Sequence, residues 1–426
     1  MSIDLSLQRA QGDQSGRASC YKVILASVFG LVALFLLFSP NFQSQQIERL
    51  TPLGSDFLQE WTGGYVWLNH RDELYEAKRF VAVQHDTAII GFQWPAEQFY
   101  PMVYPPFYYM LISPLSLLPY QGALVIWMFA IGAAIAVTLW MLTRYHPQAG
   151  NHWRKCLAAT LVFYPLLMSL NTAHKSAFLL LILTATYLLL YHRRPFAAGL
   201  AFGLIAFKPH LGLVIGFAML AKRQWRFVAG CAATVSALLL LSLIAGWDLC
   251  QDYFWQCISM SDYISTSGYQ LAESHSLVGA TALMFGSDSA MTKVLFRMLA
   301  ILIVAIVGFG LRGKMDTTSY RFAMQFSLLL VATVLLSPHF YVYDLTIMLL
   351  PIGLIALNFS TRKESTDSKV KKLSEKSPEF LIGTAILLFV IAGLSASVAS
   401  SLSFQPTLPI LFLMAIGLAF DKRSPV

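Results

Sequence analysis

The sequence predicts an all-α polytopic membrane protein, and three observations carry that prediction. Of its 426 residues 57% are hydrophobic and only 12% are charged, and its mean hydropathy is +0.61. Its apolar residues also gather into runs approaching the twenty or so helical residues that cross a bilayer. A soluble domain carries about a quarter charged residues, so that class is excluded. A net charge of +8 would suggest nucleic acid in a soluble protein. Here basic cytoplasmic loops explain it more simply, and no nucleic-acid partner is expected. The five cysteines (Cys20, Cys156, Cys231, Cys250 and Cys257) lack metal-ligand spacing. Only Cys250 and Cys257 share an expected external loop, where a disulfide and two free thiols are both open.

Taken in order, residues 1–21 are polar with Arg9 and Arg17, and residues 22–38 are apolar. Ser39-Pro40-Asn41-Phe42 follows without a small-x-small cleavage pattern, so the run reads as an uncleaved first span. Residues 40–103 form a first external loop, in which eight acidic residues outnumber four basic ones, the reverse of a cytoplasmic loop. The apolar stretch opening at Tyr104-Pro105-Pro106 is interrupted by Pro114 and Pro119. It is too short to cross and leads into a span at 122–142. Spans at 156–171 and 177–192 are joined by the turn Asn171 to Ser176.

Between Arg194 and Lys222 only about 27 residues intervene, too few for two full crossings. A hairpin of short helices is expected, with Phe207-Lys208-Pro209-His210 at its tip facing a cavity. A span at 227–246 leads to a second external loop at 247–290. Its stretch 247–276 carries Asp248, Asp252, Asp262 and Glu273 and no lysine or arginine. Further spans are expected near 292–311, 322–337, 344–357, 381–399 and 407–420, with a basic cytoplasmic loop over 358–380. On this topology 22 of the 30 basic residues lie inside, and both termini are cytoplasmic. The whole chain, 1–426, reads as one integral-membrane domain.

The candidate functional residues are the polar groups near the outer face. Asp56 and Glu60, four apart beside Phe57 and Trp61, share one face of a helix, although such a pair is also what a solvated face looks like. His174, Lys175, Lys208, His210, His275, Arg297, His339 and Asp344 lie at or just below the same face, where ionisable groups are costly unless paired or solvated. Singly, a histidine at a span end reads equally as an interfacial residue, and Lys175 could snorkel. Together, cations facing a carboxylate suit a lipid-linked sugar phosphate. The cations would stabilise an anionic leaving group, and the carboxylate would deprotonate an acceptor hydroxyl. Trp61, Tyr65, Trp67 and Trp94 suit sugar faces or headgroup depth alike.

The order of Asp56, then Tyr104-Pro105-Pro106-Phe107 with Pro114-Leu115, then the Asn171 turn, then Gly203-x4-Lys208-Pro209, then Ser337-Pro338-His339 resembles glycosyltransferase family 87. The resemblance runs from about residue 56 to 351. It implies a GT-C-like bundle of about 10–13 transmembrane helices, with amphipathic helices in the first external loop. It further implies a multi-pass enzyme of the bacterial inner membrane. That enzyme moves a hexose, mannose above all, from a polyprenyl-phosphate donor to a lipid or glycan acceptor at the external face. By this similarity Asp56 is the general base, and Lys208 and His339 approach the donor phosphate. Lys175, Arg297 and Tyr104 are expected at the donor phosphate or sugar. Glu60, Trp61, Asn171, His210, His275 and Asp344 are expected to support the site, Glu60 as a supporting or solvated neighbour. No Asp-x-Asp pair occurs in the first loop, so metal-independent transfer with no cofactor is expected. Two other classes fit the composition: a secondary transporter with its substrate site around Lys208, and a non-enzymatic scaffold. Neither is favoured, because no internal repeat is visible and a scaffold leaves the cations opposite an acidic loop unexplained.

Overall fold

Every apolar run becomes a helix in the computed structural model, which describes residues 2–43, 50–96, 98–265, 271–363 and 376–421. Helix α1 (Ser2–Phe38) ends where Ser39 and Pro40 begin a short 3-10 turn, because the proline has no N–H to continue the helix. The segment that follows folds into three short helices, α2 (Phe57–Asn69), α3 (Ala77–His85) and α4 (Thr87–Ile90). Internal hydrogen bonds hold this cap together. Gln84 exchanges two with the Tyr100 backbone, at 2.9 and 2.8 Å, while its own carbonyl accepts from the Trp94 indole at 2.7 Å. Helix α5 (Pro106–Ile112) and a 3-10 turn over Ser113–Leu117 form the short proline-bounded element the sequence predicts, leading into the long α6 (Tyr120–Tyr145).

Next come α7 (Pro147–Asn151), α8 (Trp153–Val162), α9 (Tyr164–Asn171) and α10 (Ser176–Tyr191). The expected single span at 156–171 is thus broken at Phe163, because Pro165 starts a new helix and disfavours helical continuity before it. The hairpin is present as α11 (Pro195–Gly203), a 3-10 turn over Leu204–Phe207 and α12 (Pro209–Ala221), with Lys208 at the break. Helix α13 (Trp225–Ala245) follows. The second predicted loop begins as a 19-residue helix, α14 (Trp247–Ser265). Its acidic residues are spaced along a helical face, which a reading by charge alone misses. The remaining helices are α15 (Leu277–Phe285), α16 (Ala290–Gly310), α17 (Tyr320–Leu336), α18 (Leu349–Lys363), α19 (Lys376–Ile391), α20 (Ser395–Leu402) and α21 (Thr407–Ala419). A 3-10 segment, Val342–Met348, feeds α18. The span expected at 381–399 is bent by 77° between α19 and α20. Of the predicted basic loop at 358–380, residues 364–375 lie outside the described residues.

The chain is therefore an all-α polytopic membrane protein. Among the described residues four helices are long and apolar enough to cross a membrane, or five if the bent pair is one span. Six shorter apolar helices accompany them, and a count of 10–13 is reached only if these cross as well. Helix α17 forms the centre, with every residue from Phe322 to Leu335 buried, as a helix apolar on all sides must be. Helix α16 instead presents Met298, Ile301 and Val304 outward, toward lipid. Cys250 and Cys257 are free thiols.

The arm carrying Lys208 is set by backbone contact between α11 and α13. A Cβ on Gly199 would lie 2.0 Å from the Phe227 carbonyl oxygen, and one on Gly230 would lie 2.1 Å from the Phe196 carbonyl oxygen. This is small-residue packing of the kind that lets membrane helices meet closely. Gly199→Ala or Gly230→Ala forces the helices apart, an overpacking cost of roughly 1–3 kcal/mol. Each should lower the Tm of detergent-solubilised protein; a Tm equal to that of the unsubstituted protein would contradict the contact.

Candidate active site

Two tight turns face each other at one end of the bundle. In the first, Gly54 and Ser55 both take left-handed backbone angles (φ 69° and 43°), and a Cβ at Gly54 would meet Leu124 Cδ1 at 2.6 Å. Only glycine fits there, and the turn delivers Asp56 to the position just before α2. In the second turn, between α9 and α10, Ala173 is left-handed (φ 51°), a conformation costing about 1–2 kcal/mol for a residue with a Cβ. It is held there because the Trp127 indole donates to the Ala173 carbonyl at 2.8 Å. The Asp56 N–H donates to the Thr172 carbonyl at 3.0 Å, so the two turns are joined by their backbones. Strain fixed in this way is typical of functional turns.

Four charged side chains lie buried around this junction as two ion pairs. Lys175 pairs with Glu60, their residues only 2% and 1% exposed, and its ammonium sits 4.1 Å above the Tyr104 ring. Lys208 donates to Asp344 Oδ1 at 2.9 Å. It also donates to His174 Nε2 at 3.3 Å. An ammonium has no lone pair to offer, so His174 Nε2 must be the acceptor and Nδ1 must carry the proton. That proton goes to Ser176 Oγ, at 2.6 Å, and the Ser176 hydroxyl in turn donates to Asp344 Oδ1 at 3.3 Å. Lys208, His174, Ser176 and Asp344 close a ring of hydrogen bonds, with Tyr343 stacked on the His174 imidazole at 3.8 Å. Burial, and then the charge of Lys208, holds His174 well below the usual histidine range, in keeping with a neutral tautomer.

Three carboxylates thus meet two lysines, and Asp56 is the one without an ion pair among the described residues. The residue is half-buried, yet its Oδ2 is enclosed and has no hydrogen-bond partner among the described residues. Burial raises its pKa from 3.8 to about 7, against the lowering influence of Lys175, Lys208 and the Thr172 hydroxyl. A carboxyl that changes charge near neutrality suits proton transfer.

The other expected residues divide. His339 is half-buried beside the Tyr341 ring, at 4.5 Å. Burial brings it down to about 4, opposed by Asp344 and assisted by Lys208. His210 lies within electrostatic reach of Lys208, His339 and Asp344, and its Nε2 has no partner. His275 is fully buried, with Nδ1 bonded to Thr407 Oγ1 at 2.7 Å and Nε2 unpartnered. Arg297 is corrected: it is exposed on α16 and touches no member of the cluster among the described residues, because its helix turns that face outward. Glu60 is corrected from the solvated alternative, since its helix face is covered by α5 and the Lys175 turn. Trp61 is buried in the cap, donating to the Leu118 carbonyl at 3.2 Å and stacking on Tyr65, so it offers no open sugar platform. Trp94 likewise stacks on His85. Asn171 accepts from Ser39 Oγ at 2.7 Å, and its carbonyl accepts from the Asn41 amide at 3.1 Å; it ties the end of α1 to the turn. Ser176, Tyr108, Tyr343 and Thr172 belong to the site but are not singled out by the sequence. The only signals are positional: Ser176 and Tyr343 adjoin Lys175 and Asp344, Thr172 lies in the Asn171 turn, and Tyr108 follows the Tyr104–Phe107 motif.

Residues 102–338 match the family model described as Glycosyltransferase family 87, more than half of the chain. The chain belongs to glycosyltransferase family 87. No curated protein and no solved structure matches it. Membership makes the protein a membrane glycosyltransferase, with a sugar donor and an acceptor, and leaves the transporter and scaffold readings without support. The match takes in Tyr104, the Lys175 turn and Lys208. Asp56, Glu60, His339 and Asp344 lie outside it, and their place in this family-87 site rests on the geometry above.

Breaking a buried pair by removing one partner costs about 3–5 kcal/mol, whereas replacing both is often neutral. Glu60→Gln and Lys175→Met should each lower the Tm markedly, and the double variant should recover most of the loss. Additive losses in a double-mutant cycle would show that the two side chains are not coupled.

Proposed function

We propose that this family-87 enzyme transfers a hexose, mannose in the first instance, from a polyprenyl-phosphate donor to a hydroxyl of a lipid or glycan acceptor. The reaction is placed at the external face of the bacterial inner membrane, with both termini cytoplasmic. The observation that carries the mechanistic reading is Asp56: a carboxyl without an ion pair, raised to about 7, beside two buried lysines.

The Asp56 carboxylate accepts the proton of the acceptor hydroxyl as that oxygen attacks the anomeric carbon. The bond from that carbon to the phosphate oxygen breaks, and its electron pair leaves with the polyprenyl phosphate. One displacement inverts the centre, so a β-linked donor gives an α-linked product. The leaving phosphate gains negative charge where Lys208, Lys175 and His339 converge. Lys208 has three N–H groups and gives two of them to Asp344 and His174, which leaves one for a phosphate oxygen. Tyr104, beneath Lys175, lines the same space. With the charge supplied by side chains, no metal ion or cofactor is required in this scheme.

In proteoliposomes with a synthetic polyprenyl-phosphate mannose, Asp56→Asn should reduce transfer by at least a hundredfold while donor binding is kept. Turnover at the unsubstituted rate would remove Asp56 as the base. Transfer should rise with pH through about 7 as Asp56 ionises. The stability effect has the opposite sign. A carboxyl whose folded pKa lies above its unfolded 3.8 destabilises the fold progressively as pH rises from about 4 to 7. Asp56→Asn should therefore raise the Tm most above pH 7 and by little near pH 4. Lys208→Ala should raise the donor dissociation constant at least tenfold, and activity should survive a chelator. An unaltered donor constant, or activity lost to chelation and restored by manganese, would count against these roles.

A further inference from the structure

A cavity lies away from the charged cluster. A cleft of about 430 Å³ opens between α6, α8, α10, α18 and α19, within the size range of a small-ligand pocket. Its upper wall includes Leu180 and Leu349. Leu180 is five residues along α10 from Lys175, or about 7.5 Å at 1.5 Å per residue. Its far end is formed by Leu142, His152 and Lys155. On α6, Leu142 lies fifteen residues beyond Trp127, which binds the Ala173 turn, or about 22 Å away. The cleft therefore runs from beneath the cluster to the opposite end of the bundle. A smaller recess of about 140 Å³ continues it sideways past Ile352 and Ile382 to Ile386, which is 60% exposed, so the cavity reaches the lipid-facing surface.

The lining is mostly apolar, with Thr138, Cys156 and Thr160 as uncharged exceptions and no carboxylate, and its charge is confined to one end. Lys155 is exposed there and forms no ion pair among the described residues; Arg154 beside it is exposed too. We infer that the cleft binds one acyl chain of an anionic glycerophospholipid, with the lipid phosphate at Lys155 and the tail directed toward Leu180. The charge polarity decides the orientation. A hydrocarbon chain whose phosphate sat at Lys208 would enter from the other end and leave the cationic rim without a role. A juxtamembrane lysine favours anionic headgroups by about fivefold. The site is independent of the transfer reaction.

Gly353 lines the cleft, and a Cβ there meets nothing within 4 Å. Gly353→Leu therefore fills the cavity while improving local helix propensity. Ala356→Leu fills the cleft from the next turn of α18 at little cost in helix propensity. The test is native mass spectrometry of the full chain purified in detergent and exchanged against palmitoyl-oleoyl phosphatidylglycerol or phosphatidylcholine. The unsubstituted protein should retain one phosphatidylglycerol per chain in preference to phosphatidylcholine. Lys155→Gln should lower that preference about fivefold, and Gly353→Leu and Ala356→Leu should abolish retention of either lipid while leaving the Tm unchanged or higher. Retention undiminished in both leucine variants would overturn the site. So would a preference unaffected by Lys155→Gln, or displacement of the phosphatidylglycerol by polyprenyl phosphate, which would assign the cleft to a substrate tail.

Discussion

A lysine buried among apolar helices must have a carboxylate within reach, and the organisation of this protein's reactive end follows from that constraint applied twice. Glu60 answers Lys175 and Asp344 answers Lys208. Satisfying these pairs requires the cap helix α2, the turn before α10, the break between α11 and α12 and the 3-10 segment before α18 to converge. The proline-marked break at Lys208 is tolerated at this depth because the released polar groups meet protein. The glycine contact of α11 with α13 fixes where that break lies.

The same arithmetic isolates the third carboxylate. With both lysines matched, Asp56 is left in a low-dielectric setting where ionisation is only just favourable near neutrality. Its neighbours do not neutralise it, but they keep its pKa from climbing further. A base of this kind needs no dedicated activating residue. It is produced by burial of a carboxyl that has no lysine of its own. The neutral His174 serves a different purpose: by accepting from Lys208 and passing its own proton to Ser176, it fixes where the ammonium points.

Much of this was legible in the residues. Composition and the length of the apolar runs imposed the fold class, prolines located the short α5 and the broken hairpin, and the family motifs pointed to Asp56 and Lys208. Charge pairing was not legible, because Glu60 and Lys175 are 115 residues apart and Lys208 and Asp344 are 136 apart, and nothing local signals such contacts. The residues alone therefore leave Glu60 open between a supporting and a solvated neighbour, whereas it is among the most buried residues. Trp61 and Trp94 fit sugar faces or headgroup depth alike in sequence for a related reason: an aromatic residue packed within a folded cap has the same composition as one lining a groove. Arg297 was misplaced because depth along a helix can be read from sequence more readily than the direction in which the helix faces. Helix α14 reads as a loop in sequence because its acidic residues outweigh its periodicity.

The separation of Lys208 from Asp344 also bears on how the chain is made. Synthesis at about 5–20 residues per second places roughly 7–27 s between the appearance of the lysine and that of its carboxylate. During that interval the hairpin has its cation without its ion-pair partner, so its settled position waits on that partner. His174 and Ser176, translated earlier, are already present to receive it. The final placement of the hairpin is then a late event in biogenesis, set by the arrival of the segment that carries Asp344, and a nascent chain that stops before that segment has no complete reactive centre.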